Sequence, residues 1–287
     1  MEKYNRDNLQ ELYQQAEDEK FAIPSFNYSD LWDMMAIVEA AEEEKAPVLL
    51  MSDPPVFETV GHKMSAVMVD VFTEEASVPV IHHLDHSSDL EDCKEAINLG
   101  FKSVMMDASN LPIEGNISKV LEITEYAHER NCFVEAEIGR IRGESAYETS
   151  YTGDDYLFDL DEAVRLVTEA HPDSLAIGIG NAHGFYKGKP ELNFKKLAEA
   201  KEAIDIPLVL HGGTGIPEED IQKAIRGGIR KVNVGTAIYC GYMNGIRNQL
   251  IKDGENQFTL DVMRFGMDRV KEVVKMWIHM CMAQNRV

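Results

Sequence analysis

Eight short apolar runs, rich in β-branched residues, recur along the chain with helical stretches between them, and this alternation constrains the fold more than any other feature. The runs are FAIPSFN (21–27), APVLLMS (46–52), VPVIHHLD (78–85), SVMMDAS (103–109), FVEAEIG (133–139), SLAIGIGN (174–181), PLVLHGGT (207–214) and KVNVGT (231–236). Most are near-continuous rather than alternating in polarity, as expected of parallel strands buried on both faces. Between them lie amphipathic stretches such as LWDMMAIVEAAEEEK (31–45), LEDCKEAINLG (90–100) and ISKVLEITEYAHERN (117–131), several closing on Gly or Asn. Such a rhythm builds an α/β fold, either a (β/α)8 (TIM) barrel or a doubly wound sheet. The count of eight, the length of 287 residues and the lack of an early GxGxxG after the first run favour the barrel. No linker or low-complexity segment breaks the pattern, so one domain is expected over 1–287. A helical extension at about 260–287 should cover the barrel or join a subunit interface. The polar stretch RIRGESAYETSYTGDDYLFDLD (140–161) interrupts the rhythm after the fifth run and has the length of a lid or binding loop.

In such a barrel, chemistry gathers where strands end at the C-terminal face. His82, His83, Asp85 and His86 end the third run, Asp107 the fourth, and Glu135 and Glu137 lie in the fifth. Asn181 and His183 end the sixth, His211 the seventh, and Asn233 with Thr236 the eighth. One histidine at a strand end is more often a hydrogen-bonded core residue. His86, His183 and His211, from three different strand ends, match a catalytic zinc site with an open position. Two carboxylates in one apolar strand are costly unless paired or coordinated. His62, His128, His171 and His279 read as surface or packing residues. HGGTG (211–215) follows a strand and precedes a helix, so it presents backbone N–H groups and a helix N-terminus to an anion. With NVGT one strand later, it predicts a phosphate site.

Charge narrows the partners. With 28 basic against 50 acidic residues the net charge is −22, which argues against nucleic acid and anionic membrane. Four cysteines without a CxxC pair suit a reduced chain, and no apolar run is long enough to span a bilayer. No secretory leader is read in the polar start, so the expected location is cytoplasmic.

The motifs HLDHSSDLEDCKEAINLGFKSVMMDAS, VEAEIG, GNAHGFYKGKPELNF, PLVLHGGTGIPEEDIQKAI and KVNVGT, in this order over about residues 20–240, resemble the class II, metal-dependent ketose-phosphate aldolases. The resemblance implies a (β/α)8 barrel, dimeric or tetrameric, that cleaves a ketose 1-phosphate or 1,6-bisphosphate to dihydroxyacetone phosphate and an aldehyde in carbohydrate catabolism. It implies zinc at His86, His183 and His211, and Asp107 and Glu137 at positions that hold a second metal. Asp85 becomes the acid–base residue at the C4 oxygen. Asn27, Ser52, Gly184, Gly212, Gly213, Thr214, Asn233, Gly235 and Thr236 become the substrate-binding set, with a monovalent cation (Na+ or K+) near the phosphate. Glu144 in the lid is the first candidate for the base at C3, and Glu148 the second. No Schiff-base lysine is required. Other readings of the same residues are a non-catalytic phosphosugar-binding barrel and a metal-dependent isomerase or epimerase.

The departures from the family pattern concern the far end of the substrate. MSDPPVF (51–57) carries two prolines expected to stiffen a loop and reshape the pocket wall. NQFTLDVMRFGMDR offers only Arg264 and Arg269 as distal-phosphate binders, and Ser87 stands where glycine is more usual. Arg140 and Arg142 in the lid are further candidates for a distal anion. The dihydroxyacetone phosphate half is therefore expected to be retained and the aldehyde half to differ.

Overall fold

The computed structural model describes residues 6–139, 157–186, 188 and 190–287. Its strands are β1 (Ile23–Asn27), β2 (Val48–Ser52), β3 (Val80–Ser87), β4 (Ser103–Met106), β5 (Phe133–Ile138), β6 (Ser174–Ile177), β7 (Leu208–Leu210) and β8 (Ile229–Val234). They close into one barrel in sequence order with every neighbouring pair parallel, β8 returning to β1. The chain is thus the (β/α)8 barrel that the alternation predicts.

Helices α2 (Leu31–Glu44), α5 (Leu90–Asn98), α6 (Ile113–His128), α7 (Leu160–Ala170), α8 (Phe194–Ala203) and α9 (Glu218–Arg226) follow successive strands, and two short helices, α3 (Pro54–Val60) and α4 (His62–Glu75), share the β2–β3 connection. α1 (Arg6–Glu19) precedes the barrel, and α10 (Thr236–Asp253) and α11 (Thr259–Met280) follow β8. Local chemistry sets these starts. Asp30 accepts from the N–H groups of Trp32 and Asp33, while the Asp33 side chain returns the bond to the Asp30 backbone, a reciprocal cap on α2. Asp53, Asp89, Asp159 and Asn193 cap α3, α5, α7 and α8 in the simpler one-way form.

The apolar runs extend beyond the strands themselves, because their last residues leave the sheet to form the upper loops. β1, β2 and β3 are exceptions, and β3 keeps Asp85 and His86 within the strand. The MSDPPVF segment is not a stiff loop. Asp53 caps α3 and Pro54 and Pro55 occupy its first turn, where a missing N–H costs nothing. Of the polar stretch 140–161, only 157–161 fall within the described residues, and Leu160 and Asp161 already belong to α7.

α11 packs on α10 and α2 through Val262, Met267, Val270, Val273, Val274 and Trp277. The approach to α10 is close: a Cβ on Gly245 would lie 2.2 Å from the Phe265 carbonyl oxygen. Beyond it, Asn285 N–H and Arg286 N–H donate to the carbonyls of Glu44 and Lys45. The extension therefore covers its own barrel, while Met243, Phe265 and Met276 remain exposed on its outer surface. No helix among the described residues is long and apolar enough to cross a membrane.

Candidate active site

Three strand ends are locked so that their histidines converge. After β6, the Asn181 side chain accepts from Ile179 N–H and donates to the His211 carbonyl, tying that loop to β7. The Tyr186 hydroxyl accepts from Ala182 N–H and donates to the Gly212 carbonyl. Gly212 has φ +64°, and a Cβ there would fall 2.0 Å from the Ala182 carbonyl oxygen, so only glycine lets the two loops meet. On β3, the pairing with β4 shifts register between Leu84 and Ser87, and His86 takes φ 50°, a left-handed conformation rare for a non-glycine residue. That bend turns the His86 ring toward β4 and β7.

The result is a compact donor set. Ligand atoms of His86, His183 and His211 lie within 4.8 Å of one another, and so do those of His86, Asp107 and Glu137. His86 Nε2 is 2.8 Å from His211 Nδ1, and His86 Nδ1 is 2.9 Å from Asp107 Oδ2. Burial opposes charge on His86, yet Asp85, Asp107 and Glu137 outweigh it and push its pKa up to about 10. The Asp107 carboxyl is held well below the usual range, His86 and Ser109 overcoming its burial. The nitrogen and oxygen donors of this cluster are of the types that could hold a divalent metal ion.

His211 is itself aimed from behind. Its Nε2 donates to Glu135 Oε1 at 2.8 Å, so Nδ1 keeps its lone pair toward the cluster. Burial, together with the positive His86 and Lys231, depresses its pKa and keeps the ring neutral. Lys231 reaches both oxygens of Glu135 at 3.0 and 2.9 Å. Glu135 comes from β5 and Lys231 from β8, so this fully buried pair spans the barrel interior.

Asp85 occupies the adjoining position. Asn27 Nδ2 donates to its Oδ2 at 3.0 Å and Asn233 Nδ2 to its Oδ1 at 3.1 Å. Burial would protonate it, but His86, His211, Lys231 and the Asn27 amide keep its pKa below the ordinary value. It is an ionised carboxylate with both oxygens oriented.

A cavity of about 940 Å³ opens over these groups, lined by Asn27, Asp85, His86, Asp107, His183, Gly184, Gly212, Thr214, Asn233, Gly235 and Thr236 among others. The N-terminus of α10 opens onto it at Gly235 and Thr236, a placement that favours an anion. Two predicted substrate contacts differ. Ser52 is fully buried and bonds His82 Nε2 at 2.6 Å and the Tyr28 hydroxyl, off the cavity wall. Gly213 spends its N–H on the Asn233 carbonyl and backs onto Val232 and Trp277. Asn27 and Asn233, expected only at the substrate, also hold Asp85. Glu144 and Glu148, with Arg140 and Arg142, lie outside the described residues.

Four of the other histidines have structural partners. His82 stacks on Phe101 with ring centroids 3.6 Å apart and burial lowers its pKa to about 3, while His83 bonds Ser103. His128 binds Asp173 and His279 binds Glu44. Sequence reasoning missed Lys231, Asp53 and Tyr239. Lys231 had a signal, since period two in KVNVGT puts it on the same face as Asn233. Asp53 had a partial signal in the MSDPPVF segment, which the sequence places on the pocket wall it does line, and Tyr239 had none.

This fold, with its cluster of strand-end histidines and carboxylates, is that of a (β/α)8 barrel of the aldolase class. The model of the class-II fructose-bisphosphate aldolases matches residues 7–286, and the chain belongs to that family. The YdjI aldolase of Escherichia coli K12 is 30% identical and superposes with a TM-score of 0.85, over 96% of this chain and 97% of that one. A candidate fructose-1,6-bisphosphate aldolase from Coccidioides immitis is 27% identical, with a TM-score of 0.88 over 99% and 98% of the two chains. The fructose-bisphosphate aldolase of Campylobacter jejuni, at 22% identity and a TM-score of 0.84 over 99% and 97%, shares the fold. Family and fold together support aldol cleavage of a ketose phosphate.

Proposed function

We propose that the protein catalyses reversible, zinc-dependent cleavage of a ketose 1-phosphate or 1,6-bisphosphate to dihydroxyacetone phosphate and an aldehyde. The observation that carries this reading is the convergence of His86, His183 and His211 within 4.8 Å beside an ionised carboxylate, Asp85, held by two amides. His86, His183 and His211 would hold the metal, with Asp107 and Glu137 beside it. Zinc there would act as a Lewis acid for the negative charge that develops at C2 and C3 as the C3–C4 bond breaks.

The chain's own residues supply the rest. The α10 N-terminus, with Gly184, Gly212 and Thr214, anchors the C1 phosphate, with a monovalent cation beside it. Asp85 takes the C4 hydroxyl proton in cleavage and returns it in condensation. Its two amide partners fix the carboxylate without neutralising it, so it remains a base at neutral pH. Glu144, with Glu148 as the alternative, is the proposed base at C3. Residues 1–287 form one aldolase domain with α11 as its extension, acting in the cytoplasm as a homodimer or homotetramer. The exposed apolar side chains of α10 and α11 support self-association.

The test is a coupled assay for dihydroxyacetone phosphate over a panel of ketose 1-phosphates and 1,6-bisphosphates, with and without a chelator. Chelator-sensitive release from one or more substrates is expected. Zinc bound, fold intact and no release from the whole panel would refute the catalytic reading.

A further inference from the structure

The cavity has a second wall that the proposed chemistry does not use. Asp53, Pro54, Pro55, Val56, Glu58 and Thr59 line it from the start of α3, and Tyr239 lines it from α10. Asp53 Oδ2 accepts from the Tyr239 hydroxyl at 2.9 Å, while Oδ1 caps α3 through Val56 N–H. Among the described residues lining the cavity there is no lysine or arginine. The Asp85 carboxylate is close enough to help burial raise the Asp53 pKa. On the aldolase reading, which puts the C1 phosphate at the α10 N-terminus and C4 at Asp85, the carbons beyond C4 would lie toward the Asp53 wall, which is near enough to Asp85 to feel its charge.

The geometry points to Asp53, fixed by Tyr239, as the residue that selects the distal end of the substrate, admitting an uncharged hydroxylated tail and rejecting a distal phosphate. This rests on the aldolase reading. A phosphate dianion on this wall would lose water beside two carboxylates, Asp53 and Glu58, with no cation among the described residues to offset the loss. A polyol tail meets groups it can bond: the carboxylate oxygens of Asp53 accept from its hydroxyls, and Tyr239 and Thr59 present hydroxyls of their own. Pro54, Pro55 and Val56 cover its carbon backbone.

The experiment offers zinc-loaded protein dihydroxyacetone phosphate with equimolar glyceraldehyde and glyceraldehyde 3-phosphate, and reads the ratio of ketose 1-phosphate to 1,6-bisphosphate by phosphorus NMR. The expected ratio is at least about 100:1 for wild type, falling about tenfold or more in Asp53→Asn as the bisphosphate product rises. Tyr239→Phe should lower the ratio in the same direction, since it frees the carboxylate from its fixed position. A wild-type ratio near or below one, or a ratio unmoved by Asp53→Asn, overturns the inference. Exchange of the C3 proton of dihydroxyacetone phosphate with deuterium oxide, measured on wild type alone, separates the two failures. It needs no aldehyde, so exchange without the preferred ratio sinks only the assignment to Asp53, whereas no exchange sinks the aldolase reading beneath it.

Discussion

Replacing Lys231 tests whether the barrel interior works as a support for the site. Lys231 and Glu135 are 0% and 1% exposed, 2.9 Å apart, and joined to His211 through Glu135 Oε1. Lys231→Met leaves a buried carboxylate without its cation, and breaking a buried pair on one side costs about 3–5 kcal/mol. At roughly 2 °C per kcal/mol for a chain of this size, the thermal midpoint of chelator-treated protein should fall by about 6 °C or more. Lys231→Met/Glu135→Leu removes both charges, and such apolar replacement is neutral or stabilising in comparable pairs, so the midpoint should return to within about 2 °C of wild type or rise above it. Zinc affinity should not return with it. His211 has then lost the carboxylate that sets its tautomer, a change worth about 10–100-fold in metal affinity. Calorimetry gives the first quantity and competition with a chromophoric chelator the second. A single variant as stable as wild type, or a double variant with wild-type zinc affinity, would refute the reasoning.

The remaining predictions use simpler changes. Asp85→Ala should keep its zinc by metal analysis and lose about 100- to 10,000-fold in turnover, because the proposed function gives it a proton to move and no metal to hold. His183→Ala should lose zinc and activity together; full zinc with full rate would make the metal assignment wrong. Asp173 is buried with Arg6 at 2.6 Å and His128 at 2.9 Å. Burial opposes its charge, but these partners and Val134 N–H lower its pKa. A depressed carboxyl contributes stability that is present above the unfolded value and lost as pH falls through the folded one. The midpoint of wild type should therefore drop in that acid window, and Asp173→Asn should flatten the drop; parallel pH profiles would contradict it.

The site is legible in sequence to the extent that it derives from strand ends. His86, His183 and His211 each stand at or just past the close of an apolar run, so the barrel brings them to one end, and contacts between the β6 and β7 loops complete the convergence. Helix α2 is readable from its own cap and apolar face. The MSDPPVF segment departs from the stiff loop that Pro-Pro suggests, because Asp53 caps a helix whose first turn accepts both prolines. Ser52 and Gly213 sit beside cavity-lining neighbours in sequence, yet Ser52 turns to His82 and Gly213 to the Asn233 carbonyl. A strand end offers two sides, and local sequence does not say which one the cavity takes.

What the sequence determined by itself was periodicity and chemistry: eight parallel strands, three imidazoles at their ends, a glycine-rich turn before a helix and a net charge of −22. Those properties depend on residue spacing and type, which are local. Tertiary structure alone decided which polar groups meet across the barrel. It set Lys231 of β8 against Glu135 of β5, Asn27 and Asn233 against Asp85, and Tyr239 of α10 against Asp53 of the β2 connection. These pairs are separated by 58 to 186 residues, and only closure of the sheet, which fixes register and so which face of each strand looks inward, brings them within hydrogen-bonding distance.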